Sequence, residues 1–387
     1  MTCEELKWNI FCTVVDNYGD IGVTWHLAKE MRRLGQSVRI FIDKPEVMAV
    51  FEKEIDPAKR IQTAGNGITV EKWDDDCEFE SLPGADAVIE MFACRLPDRC
   101  IDKMKGNCLW LNVEYLTAED WIEDCHGLKS LERGREKYFF FPGFTGKTGG
   151  INFESQKDPY SSYVNRIFEK IKESAGSEAM IFSAFTYENN VMAGIITEYD
   201  FAGKEAVFIV PEGMLLSQLL KRHKDRIEMI SEDAIGDGRS SLWKTESGSL
   251  MMAVPMLSQE DYDEILRRCC FCFVRGEDSF VRVQMAAKPF IWHIYPQNDD
   301  AHIAKLEAFM NRYTSAFEKD LANAYKAFAL GFNRNDKSCV SRYFPQIMDG
   351  LSTAYEPAEK WKKAICDNGS LAFNLIRFAH NRQKSYN

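Results

Sequence analysis

At ~150 residues per domain, a chain of 387 residues has room for two or three domains with sizeable cores. It is 45% hydrophobic and 28% charged, with 24 Gly and 12 Pro, which excludes disordered, collagenous and fibrous classes. Its 48 Lys and Arg against 59 Asp and Glu leave a net charge of −11. That balance argues against nucleic-acid phosphates as a partner and for encounter with a basic surface.

No run approaches the ~20 apolar residues of a membrane helix, and the polar, acidic stretch Met1–Lys7 does not read as a secretory signal. Of the 12 cysteines, Cys12, Cys94, Cys108, Cys269, Cys270 and Cys272 lie inside apolar runs, where a thiol behaves as a small hydrophobe. There is no CxxC pair and no HExxH. Zinc ribbons and thioredoxin-type redox centres therefore have no support, and reduced thiols in a cytoplasm are the expectation.

In chain order, apolar runs predict strands at Trp8–Val15, Val38–Asp43, Ala87–Phe92, Cys108–Glu114 and Tyr138–Phe141. A second series is expected at Ala179–Tyr187, Ala206–Val210, Leu250–Val254, Cys269–Val274 and Pro289–Ile294. Several are apolar on both faces, as buried parallel strands require. Helical patterns fall between them at Gly22–Leu34, Ser217–Arg222, Gln259–Arg268 and Ser279–Ala287. Strand and helix in alternation mean an α/β chain with parallel sheets, here two Rossmann-like domains facing one another. The glycine-rich stretch Gly143–Lys157 reads as a hinge or exposed loop near their boundary. The last stretch, Pro357–Gln383, reads as helix broken near Asn368–Gly369.

Two constellations carry chemistry. In VVDNYGDIGVTW (14–25) a buried strand gives way to a polar turn and a helix, the place where open α/β sheets bind ligands. Gly19 and Gly22 permit close backbone approach, and helix amides offer an anion site. The full GxGxxG of dinucleotide folds is absent. Asp16 and Asp20 would repel a phosphate, so a cationic or hydroxylated group is expected beside them. Read structurally, Asp20 is a helix N-cap and Asp16 a turn residue.

In CFVRGEDSFVRVQMAAKPFIWHIYPQ (272–297) a strand runs into a helix that Asp278 or Ser279 can cap, with Arg275 beside the free amides. Glu277 is out of place next to an anion unless it meets hydroxyls or a cation. A plain capped helix with an Arg–Glu surface pair is the alternative. Glu114 and Tyr115 end another strand of the first series. His293 reads as a core histidine and the Asp triplet at 74–76 as a solvated loop, and Met256 lies past a strand end where it could line a pocket.

The runs IFCTVVDNYGDIGVTWHLA (10–28) and RGEDSFVRVQMAAKPFIWHIYP (275–296) resemble the EarP family of arginine rhamnosyltransferases that modify bacterial elongation factor P. VIEMFACRLP (88–97), LWLNVEYLTAEDW (109–121), FPGFTGKTGG (141–150) and FTYEN (185–189) extend the resemblance in order along most of the chain. The resemblance implies an α/β GT-B glycosyltransferase with two Rossmann-like domains facing across a cleft. Residues 1–175 joined by 358–387 would form the acceptor side, and 176–357 the donor side. It implies inverting transfer of rhamnose from dTDP-β-L-rhamnose to an arginine of the N-terminal domain of elongation factor P, without metal.

Catalysis would fall to Asp20, Asp16 and Glu277. The donor would meet Asn17, Tyr18, Gly19, Gly22, Tyr187, Met256, Gln259, Arg275, Glu277, Asp278 and Ser279, with Met256 standing where relatives usually carry an aromatic residue. The acceptor would meet Asp16, Glu114, Tyr115 and Tyr295. The alternatives are another nucleotide-sugar transferase on this fold, or a non-catalytic acidic partner of a basic translation factor.

Overall fold

The computed structural model describes residues 4–15, 17–74, 84–154, 159–235, 238–297 and 299–384. The chain divides into two compact units, Met1–Gln156 with Ala364–Asn387, and Lys157–Lys363. No helix among the described residues is long and apolar enough to cross a membrane. The ten described cysteines are free and buried or half-buried.

The first unit holds an eight-stranded sheet of β1 (Lys7–Cys12), β2 (Ser37–Ile42), β3 (Ile61–Ala64), β4 (Ile68–Lys72), β5 (Ala87–Met91), β6 (Leu109–Val113), β7 (Lys129–Glu132) and β8 (Arg135–Phe140). The order is β3-β4-β2-β1-β5-β6-β8-β7, parallel except where β3 meets β4 and β7 meets β8. Alternation along β1 explains why both faces are covered. Trp8, Ile10 and Cys12 enter one core with Ile21, Trp25 and Met31 of the helix Asn17–Arg33, whereas Phe11 turns into the opposite core with Phe41, Val88 and Trp110.

The last helix, Leu371–Lys384, closes the first of these cores. It contributes Leu371, Leu375, Ile376 and Ala379 at helical spacing, and each buried Leu or Ile is worth about 1.5–3 kcal/mol.

The second unit holds a seven-stranded sheet of β9 (Met180–Ala184), β10 (Ala206–Pro211), β11 (Ile227–Ile235), β12 (Gly238–Thr245), β13 (Leu250–Val254), β14 (Phe271–Arg275) and β15 (Phe290–His293). Its order is β11-β12-β13-β10-β9-β14-β15. From β13 to β15 neighbours are parallel, and β11 and β12 form an antiparallel hairpin on β13.

Several sequence expectations are corrected. The β11–β12 hairpin and the edge strands β3 and β7 have no counterpart in the predicted series, because edge strands with one wet face lack the doubly apolar signal. The first strand stops at Cys12 rather than Val15, and its helix begins at Asn17 rather than Gly22. Gly19 and Gly22 therefore lie inside the helix instead of forming the turn. The junction between units falls at 156/157 rather than 175/176. Helix Ser162–Ala175 belongs to the second unit because Asp261 there accepts from both the backbone N–H (2.6 Å) and the hydroxyl (2.8 Å) of its capping Ser161.

The stretch Gly143–Lys157, expected as a hinge or exposed loop near the boundary, does contain the junction between the units, but most of its described length is buried rather than exposed. Gly143, Phe144, Thr148, Gly149, Gly150, Ile151 and Asn152 are buried, although Gly146 and Lys147 are exposed; residues 155–157 lie outside the described residues. The C-terminal segment straps this stretch down. Asn368 Nδ2 donates to the Phe144 carbonyl (2.8 Å), Asn374 Nδ2 to that of Gly149 (3.1 Å) and the Leu371 N–H to that of Ile151 (2.8 Å).

Gly150 sits at φ +75°, where a Cβ would run into the carbonyl of Gly369. Gly150→Ala should therefore cost about 2–4 kcal/mol, from the left-handed backbone plus the clash. The expected result is a lowered urea midpoint, and an unchanged midpoint would mean that the strap yields.

Candidate functional site

Open α/β sheets bind ligands outside the carboxyl ends of their strands, where the strand order reverses direction. Each sheet has one such point, between β1 and β5 in the first unit and between β9 and β14 in the second.

In the first unit Asp20 stands in the first turn of helix Asn17–Arg33, only 1% exposed. It is not the N-cap that its position suggested. Instead its Oδ2 reaches back to accept from the Val15 N–H at 2.7 Å, and its Oδ1 accepts from the Tyr115 hydroxyl at 3.0 Å. Tyr115 follows β6, and its ring stacks on Phe92, which follows β5, with centroids 4.1 Å apart and planes 10° from parallel. Phe92 itself takes φ 56°, an unusual backbone for an aromatic residue, and its N–H donates to the Val113 carbonyl at 2.8 Å. Three strand ends thus converge on one buried carboxylate.

Glu114 is half-buried and accepts from Asn112 Nδ2, one strand position away from Tyr115. Asp16 and the side chains of Asn17 and Tyr18 lie outside the described residues. Asp74 pairs with Arg60 (3.2 Å) and Lys72 (3.8 Å), whereas Asp75 and Asp76 also lie outside.

In the second unit the guanidinium of Arg275, at the end of β14, lies over the rings of Phe185 (4.3 Å) and Tyr187 (5.0 Å), both beyond the end of β9. Gly276 turns the chain at φ 62°, its carbonyl accepting from Trp292 Nε1 at 2.7 Å. Glu277 occupies the cap position of helix Asp278–Met285, and its side chain makes no capping hydrogen bond there.

The expectation that Asp278 or Ser279 caps it is therefore corrected. Both lie inside the helix, and the Asp278 carboxylate is drawn towards Arg282 one turn on, whose Nε donates to it at 2.7 Å. Gln259 Nε2 reaches the same oxygen at 3.4 Å. Ser279 is buried. Met256 is half-buried, two residues beyond β13 on the same edge of the sheet. Tyr295, expected with Glu114 and Tyr115, belongs to the other unit. There it meets Tyr187 edge to face at 5.7 Å.

His293 ends β15 behind Tyr187, their rings 5.2 Å apart. Burial pushes its imidazole down to about 3, with Arg275 and His302 adding to the effect. The folded value lies below the ordinary 6.5, so the unfolded chain binds the proton first as pH falls. Stability is lost on the acid side of about 6.5, by about 1.4 kcal/mol per unit down to the folded value. His293→Gln should flatten the fall in urea midpoint between pH 7 and pH 5; an unaltered slope would assign the acid sensitivity to other groups.

Chemically the two switch points are complementary. The second offers a fixed cation, aromatic faces and the positive end of a helix, which suit a ring attached to an anion. The first offers a buried carboxylate with a tyrosine partner, which suits a cation that must lose a proton. Phe92, Phe185 and Arg282 were not singled out from the sequence. Only Arg282 carried a readable signal, its spacing of four from Asp278.

The family model for elongation factor P (EF-P) rhamnosyltransferase EarP matches residues 8–380. A protein-arginine rhamnosyltransferase of Pseudomonas aeruginosa is 36% identical over 388 residues, covering 96% of this chain and 98% of the relative. Another, from Shewanella oneidensis, is 34% identical over 395 residues, covering 96% and 97%. One of Neisseria meningitidis is 30% identical over 385 residues, covering 97% of each. Among solved structures, one described as the basis for EarP-mediated arginine glycosylation of translation elongation factor EF-P aligns with a TM-score of 0.59 at 23% identity. It covers 97% of this chain and 99% of that one, so the fold is shared.

Proposed function

The chain belongs to the EarP family and is a protein-arginine rhamnosyltransferase, and from that premise we propose that it works as a GT-B enzyme moving rhamnose from dTDP-β-L-rhamnose to one arginine of elongation factor P. The observation that carries the donor half is the placement of Arg275 over the rings of Phe185 and Tyr187, beside a helix N-terminus whose cap residue, Glu277, makes no side-chain capping bond. Backbone amides and a fixed guanidinium are the groups that stabilise charge growing on a departing diphosphate. Tyr187, Met256, Gln259, Arg275 and Ser279, with the backbone N–H of Asp278 at the helix start, form the donor side in this reading. Glu277 holds sugar hydroxyls or the incoming guanidinium.

An arginine side chain has a pKa above about 12, and its nitrogen lone pairs are delocalised, so it is a poor nucleophile. Attack becomes feasible when the planar cation is held in line and its proton has somewhere to go. In the proposed step an arginine nitrogen bonds to C1 of rhamnose from the face opposite the diphosphate. The C1–O bond breaks, its electron pair leaves with dTDP, and the configuration at C1 inverts.

As the new bond draws electron density from the nitrogen, the proton there becomes acidic and passes to Asp20. Tyr115 keeps that carboxylate in place, and Asp16 and Glu114 complete the acidic grip on the guanidinium. Diphosphate charge is met by protein groups, with no metal or cofactor required. The acidic chain meets a basic acceptor in the cytoplasm.

Intact-mass analysis of elongation factor P after incubation with this protein and dTDP-rhamnose tests the reading. The expected product carries one added deoxyhexose on one arginine. An unmodified acceptor, or equal transfer from UDP-glucose, would reject it.

A further inference from the structure

We infer that Arg282 is a positioning residue for the anion site at the start of helix Asp278–Met285, offsetting the charge of Asp278 so that this helix end can take a diphosphate. The inference rests on the donor-side reading above.

A carboxylate in the first turn suits the helix dipole but opposes an anionic ligand at the same helix end. Asp278 is such a carboxylate, three positions from Arg275 and next to Ser279. The Arg282 side chain is only 3% exposed, and a cation is buried at such depth when it has charged partners. Its Nε donates to Asp278 Oδ2 at 2.7 Å and its Nη1 to Asp263 Oδ1 at 3.0 Å.

Asp263 belongs to the neighbouring helix Gln259–Arg268, whose first residue, Gln259, also reaches Asp278 Oδ2. One guanidinium therefore ties together the two helices that carry Gln259, Asp278 and Ser279. Two nitrogens serving two carboxylates is a geometry that the fork of Arg provides and the point charge of Lys does not. A pair at i,i+4 on a wet helix face would contribute little; this one is buried under the anion site.

The test is calorimetric binding of dTDP to the wild type, Arg282→Met, Arg282→Lys and the Asp278→Asn/Arg282→Met double variant. Arg282→Met should weaken dTDP by about tenfold or more, with Arg282→Lys in between. The double variant should recover most of that loss, because the carboxylate to be offset is gone. In transfer assays the defect should appear in the KM for the nucleotide sugar, with kcat and the KM for the acceptor protein little changed.

A lowered Tm with unaltered dTDP affinity in both single variants overturns the inference, as does a loss that the double variant does not recover. If the methionine variant fails to fold, Arg282→Lys and its Asp278→Asn double decide in the same way. A wild-type chain that binds no dTDP contradicts the donor-side reading itself, whereas binding indifferent to Arg282 contradicts only this inference.

Discussion

Asp20→Asn should lower the rate of arginine glycosylation by about 10²–10⁴-fold, the usual contribution of a positioned general base, while donor affinity stays within about a factor of two. The substitution is nearly isosteric. Its amide oxygen can still accept from the Val15 N–H or the Tyr115 hydroxyl, donors that hold the carboxylate now. What it cannot do is accept a proton from the attacking nitrogen. Single-turnover transfer followed by intact mass, paired with calorimetry for the nucleotide sugar, separates the two effects. Because Asp20 belongs to the first unit and the donor contacts mostly to the second, a large loss of donor affinity would show that Asp20 serves the donor rather than the acceptor. A rate within a few-fold of wild type would remove it from proton transfer altogether.

Arg275→Ala should weaken nucleotide-sugar binding by about 10–100-fold, the range for losing hydrogen bonds to a charged partner. The stacked rings matter here. Phe185 and Tyr187 hold the guanidinium before a ligand arrives, so little side-chain freedom remains to be lost on binding. Lys keeps the charge but lacks the planar face that stacks and forks, and Arg275→Lys should fall between wild type and Ala. Titrations with dTDP across a salt series give the check, since the loss of a phosphate-directed cation should also flatten the salt dependence. Equal affinities in all three proteins would leave Arg275 a structural residue.

The helix Gln259–Arg268 was legible to the residue, because Ser258 caps it, Glu260 and Asp261 fill its first turn, and Arg267 and Arg268 fill its last. Its neighbour Asp278–Met285 was legible only in outline, since the side chains expected to cap it turn to partners elsewhere. Asp278 prefers the buried Arg282 to its own helix end, a choice made by burial and not by local propensity. Glycines misled in the stretch after β8. Gly143 and Gly149 read as loop punctuation, yet a side chain on either would collide with Thr148 or Phe140, so they mark tight packing instead.

By itself the sequence determined the α/β class, the two parallel series and the place, though not the bounds or caps, of both strand-to-helix turns, because hydrophobic periodicity is a short-range property written within a dozen residues. It also carried the family resemblance. Only the tertiary structure decided that Tyr115 donates to Asp20 across 95 positions of chain, that Phe92 supports Tyr115, and that Phe185 and Tyr187 bracket Arg275. Those contacts join residues at the ends of different strands. They exist because sheet order places β1, β5 and β6 side by side in one unit and β9 beside β14 in the other, and no local pattern encodes that adjacency.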